Sequence, residues 1–74
     1  MTRAPVVVHR PSPSGGRKVT LHRDGHDVFL GTAHSDHDLV VILESVGITG
    51  PAHMLDQPQR VEWRDGAAHD FRAA

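Results

Sequence analysis

Seventy-four residues permit one domain, and a chain this short buries only about 60% of the surface it exposes when unfolded, leaving little room to preorganise a catalytic centre. The absence of cysteine excludes a disulfide framework, a thiolate metal site and a thiol nucleophile. The formal net charge of −1 hides a split: residues 1–23 carry Arg3, Arg10, Arg17, Lys18 and Arg23 and no acid, whereas residues 24–74 set three arginines against nine acids.

In chain order, Val6 to His9 could form a short edge strand but is closely fenced by Pro5 and Pro11, and Arg10-Pro11-Ser12-Pro13-Ser14-Gly15-Gly16 has the composition of a linker. Residues 1–16 are therefore expected to form a flexible basic arm, and residues 17–74 a small folded domain. Lys18 to Ala33 reads as a β-hairpin, because Asp24-Gly25 suits a type I′ turn with two positive φ angles. A two-residue loop pairs Leu21 with Val28, Thr20 with Phe29 and Val19 with Leu30. Val19, Leu21, Val28 and Leu30 then share a core face, and Lys18, Thr20, His22, Asp27, Phe29 and Gly31 the other.

Ser35 is placed as a helix N-cap, with Asp36 and Asp38 in the first turn where the helix dipole favours negative charge. Leu39, Ile42, Leu43 and Val46 follow at helical spacing, and Gly47 is positioned to end the helix. Residues 48–59 read as a loop with one helical turn near His53 to Asp56. Arg60 to Trp63 and Ala67 to Arg72 then flank Arg64-Asp65-Gly66, which predicts a second hairpin with Gly66 in the left-handed region. The expected fold is α+β: a two-layer ββαββ arrangement in which two hairpins form an antiparallel sheet and one helix covers one face.

Few constellations carry chemistry. The seven histidines are dispersed by the expected register, so no ligand set converges as zinc requires, and neither a metal nor any other cofactor is expected. Ser35, Asp36 and His37 contain triad side chains, but neighbours at a helix start project in different directions. Gly15-Gly16-Arg17-Lys18 lacks the upstream glycine, the following Ser or Thr and the helix of a phosphate loop. No catalytic residue is assigned.

Two apolar residues sit on faces that should be polar: Phe29 beside Thr20 on the hairpin, and Val41 on the helix. Phe29, Thr20 and Val41 are the candidate protein contacts. The expected function is a small protein-interaction or regulatory module, self-association included, with another protein or a second copy as partner. The alternative is a nucleic-acid-binding accessory protein contacting phosphates through Arg3, Arg10, Arg17, Lys18 and Arg23. A weaker alternative is a histidine-based metal binder or pH responder. Short apolar runs predict no membrane span and a cytoplasmic location. The excess of arginine over lysine, with no asparagine or tyrosine, points to a GC-rich bacterial gene.

Overall fold

The computed structural model describes residues 4–74; Arg3, the first cation of the expected arm, lies outside the described residues. Strands β1 (Val6–Pro11), β2 (Arg17–Arg23) and β3 (His26–Ala33) are followed by helix α1 (Asp36–Ser45), a single 3₁₀ turn at Pro51–His53 and strand β4 (Val61–Trp63). The sheet order is β3-β2-β1-β4. The fold is α+β with one helix, as the order of turn and cap signals implies, but the element order is βββαβ rather than ββαββ and the sheet is mixed rather than antiparallel. β1 pairs antiparallel with β2 and parallel with β4, with Val6, Val7 and Val8 beside Val61, Glu62 and Trp63.

Residues 6–11 of the expected arm are thus an interior strand. Val6, Val7 and Val8 are all buried, which is the apolar pattern of a strand covered on both faces, and Pro5 and Pro11 are tolerated because they stand at its ends. The Ser12 to Gly16 stretch is the β1–β2 turn. It is closed by Ser12 N–H donating to the Gly16 carbonyl (3.0 Å) and by the Ser12 hydroxyl donating to the Gly15 carbonyl (2.7 Å).

The β2–β3 hairpin forms on Asp24 (φ 53°) and Gly25 (φ 79°), and Arg23, His22, Leu21 and Thr20 pair with His26, Asp27, Val28 and Phe29 as the turn dictates. Beyond that point a β-bulge shifts the register, so Val19 lies opposite Gly31 rather than Leu30. The shift carries Gly31 to the helix side. A Cβ there would stand 3.3 Å from Ile42 Cδ1, so the bulge lets α1 approach β3 closely.

Helix α1 has the expected ends. Ser35 Oγ accepts from the Asp38 amide. Gly47 and Ile48 amides donate to the Glu44 and Leu43 carbonyls, which closes a Schellman motif and brings Ile48 onto the core. Leu39 and Leu43 are buried against Val6, Val8, Val19, Leu21, Ala33, Met54, Leu55 and Val61, with Leu30, Ile42, Val46, Trp63 and Phe71 packed around them.

The second hairpin does not form. Residues 67–72 are not a strand, Asp65 rather than Gly66 takes the left-handed conformation (φ 54°), and β4 pairs with β1 instead. The reason is that the carbonyls of this segment are engaged elsewhere, by Arg17.

Candidate functional site

Alternation along β2 puts Arg17, Val19 and Leu21 on the helix side and Lys18, Thr20 and His22 on the open side. Arg17 is accordingly fully buried. Its Nε donates to the His9 carbonyl (2.7 Å), Nη1 to those of Ala67 (2.9 Å) and Asp70 (3.0 Å), and Nη2 to that of Arg64 (2.6 Å). The guanidinium also lies 5.3 Å from the Trp63 ring centroid. Burial lowers its pKa while the Asp70 and Asp65 charges oppose that, and a guanidinium stays charged regardless. Arg17 is a clamp for the C-terminal segment and is withdrawn from any nucleic-acid surface. Lys18 and Arg23 are exposed at opposite ends of β2, and exposed Arg10 lines a 600 Å³ cleft shared with Asp65, Asp70 and Arg72. No single basic patch unites them.

The open side of the sheet holds a cross-strand row, Phe29–Thr20–Val7–Glu62, one residue from each strand. Its middle is closed: Val7 is buried, and Thr20 is only 7% exposed, its hydroxyl 2.8 Å from His9 Nε2. Thr20 therefore supports the face from within instead of offering a contact. Phe29, at the edge, is 59% exposed. Charged groups surround the row. Lys18 Nζ lies 5.9 Å from the Phe29 centroid, Arg64 Nε bonds Glu62, and His22 Nδ1 is 2.8 Å from Asp27. Burial, and then the Arg64 and Lys18 charges, hold the His9 pKa below its ordinary value, so His9 faces Thr20 as a neutral ring at pH 7.

Val41 is 49% exposed but belongs to the helix layer, on the other side of the molecule from Phe29, so the two do not form one patch. Val28, expected in the core, is 46% exposed: it lies on the helix side of β3, but α1 packs farther along that strand, over Gly31.

A second cluster was not legible in the sequence. His69, in the left-handed region at φ 68°, has Nδ1 2.8 Å from Asp36 Oδ2 and Nε2 2.5 Å from Asp56 Oδ1. A carboxylate faces each ring nitrogen, an arrangement that favours the imidazolium, and the pKa of His69 is raised by the hydrogen bonds to Asp56 and Asp36. The three residues come from the C-terminal segment, the start of α1 and the loop after the 3₁₀ turn, and nothing in their spacing signals the meeting.

Among the described residues, no group of three or more His, Asp or Glu side chains is arranged to hold a metal ion, and no helix is long and apolar enough to cross a membrane. Comparison with known proteins finds no matching family model, no matching curated protein and no matching solved structure.

Proposed function

We propose that this chain is a small protein-interaction module whose contact surface is the open side of the sheet around Phe29. The observation that carries this reading is the exposed Phe29 ring at the end of a row whose inner members are sealed. Antiparallel sheets keep a solvated face polar, and Lys18, His22, Asp27, Glu62 and Arg64 conform while Phe29 does not. An aromatic centre within a polar rim is the anatomy of a protein contact, and aromatic side chains supply a disproportionate share of binding energy. The charges on this face pair with one another, which suits complementary recognition of a mixed surface more than a uniformly charged ligand.

Replacing Phe29 by Ser tests the reading. The substitution should leave the circular dichroism spectrum and melting temperature near wild type while reducing partner retention in a pull-down from the native host. Equal retention of every partner by both proteins would sink it. A second reading draws on Lys18 lying over Phe29, since an aromatic beside a cation can stack a nucleobase. It is opposed by Asp27 and Glu62 on the same face. A salt-sensitive shift of single-stranded nucleic acid that Phe29→Ser abolishes would favour it.

A further inference from the structure

We infer that the outer edge of β4 and the cleft beside it form a binding site for an extended peptide in which a basic residue stands between apolar ones. The site is separate from the Phe29 surface, which lies at the opposite edge of the sheet. Val61 and Trp63 share the helix side with Val6 and Val8, and Glu62 shares the open side with Val7. Yet all three line one cleft of 380 Å³. Residues on opposite faces of a strand can line one cleft only across its edge, and the inner edge of β4 is filled by β1. The far wall is made by Leu55, Pro58 and Ala68. Trp63 is fixed in place because its Nε1 donates to the Leu55 carbonyl (2.9 Å).

The backbone decides what fits. Val6 N–H donates to the Arg60 carbonyl (3.1 Å), and Arg64 N–H to that of Val8 (2.9 Å). A parallel ladder therefore turns the amides and carbonyls of residues 60, 62 and 64 toward β1, and those of Val61 and Trp63 outward. Val61 N–H is taken by the Gln57 carbonyl (3.0 Å). The Val61 carbonyl and the Trp63 amide are left without a strand partner. They stand on either side of Glu62, as the N–H and C=O of one extended residue running parallel to β4 require. That residue's side chain falls beside Glu62, and its two neighbours fall on the helix side with Val61 and Trp63. Charge then selects the central residue. The charged side chains lining the cleft are Asp56 and Glu62, with no lysine or arginine among the described residues there. Glu62 places one carboxylate oxygen on Arg64 and Asp56 places one on His69, leaving each a second oxygen for a cation. A basic residue beside Glu62, flanked by apolar residues against Leu55 and Pro58, satisfies every group.

The probe is a short blocked peptide of alternating leucine and lysine, titrated against the full chain. Trp63 is the single tryptophan, so its fluorescence should report saturable binding, and hydrogen exchange at the Trp63 amide should slow. Methylating the lysine backbone nitrogens of the peptide should raise the dissociation constant by about tenfold or more, because the donor to Val61 is lost. Ala68→Leu, at an exposed position, narrows the cleft and should weaken binding to a similar degree, with unchanged melting verifying the fold. A peptide of alternating leucine and glutamate should bind more weakly than the lysine peptide, and Phe29→Ser should bind it as wild type does. Absence of binding up to millimolar peptide overturns the site, as does equal binding of the methylated peptide. Equal affinity for the glutamate peptide overturns the choice of a basic residue. Protection of the Trp63 amide that rises with protein concentration alone would assign the edge to a second copy and overturn the peptide reading.

Discussion

Arg17 and His69 fasten the same segment by different chemistry. The Arg17 fork holds the carbonyls of Arg64, Ala67 and Asp70 at any physiological pH. Removing it strands those carbonyls and opens a cavity beside Trp63, so Arg17→Met should cost about 3–5 kcal/mol in urea denaturation. A cost near zero would show that the clamp is dispensable. Its place was legible by parity, because Arg17 shares a face with Val19 and Leu21. Counting it among the cations of a basic arm hid that relation.

The His69 latch depends on pH. Its folded pKa is raised above the unfolded value, so its contribution is complete below about 6.5 and is lost as pH rises through the folded value. His9 has the opposite sign: its pKa is lowered by burial, so its contribution is present above about 6.5 and fades as pH falls. His69→Asn keeps a side chain that tolerates positive φ but carries no charge. The stability difference between wild type and His69→Asn should therefore be larger at pH 6 than at pH 9, and a difference that grows with pH would refute the latch.

At the level of elements, the helix and the β2–β3 hairpin were legible because their signals are local. Ser35, the Leu39-Leu43 stripe and Gly47 each act within a few residues, as does Asp24-Gly25. β1 was not, since a three-valine run flanked by prolines reads as a strand only once both its neighbours are known. The bulge at Leu30 and Gly31 was equally hidden, because it answers to the approach of Ile42 on α1. The candidate site followed the same division. Phe29 opposite Thr20 came from the turn, whereas Val7, Glu62 and Arg64 joined that face only through strand pairing at long range. An interior β1 also reverses an expectation about truncation. Deleting residues 1–14, harmless for a flexible arm, removes the partner of both β2 and β4 and the buried Val6 and Val8. The shortened chain should lose its cooperative melting transition, and a transition within a few degrees of the full chain would show that the remaining strands close without β1.

Across the whole molecule, the two terminal segments meet at one side of the sheet. β1 runs beside β4, Gly16 N–H donates to the Phe71 carbonyl, and Ala74 N–H donates to that of Ser12. The parallel pairing of β1 with β4 has a consequence for the order of assembly. β1, β2, β3 and α1 are contiguous in the chain and joined by short connections, so they can associate as soon as they exist. The second flank of β1 waits for Val61 to Trp63, and the Arg17 charge waits for carbonyls later still. A chain emerging from the ribosome would pass through a stage in which its central strand has one bare side and a buried cation lacks most of its acceptors. Closure by residues made some fifty positions after β1 is a non-local step, which slows folding and leaves the intermediate open to wrong strand partners.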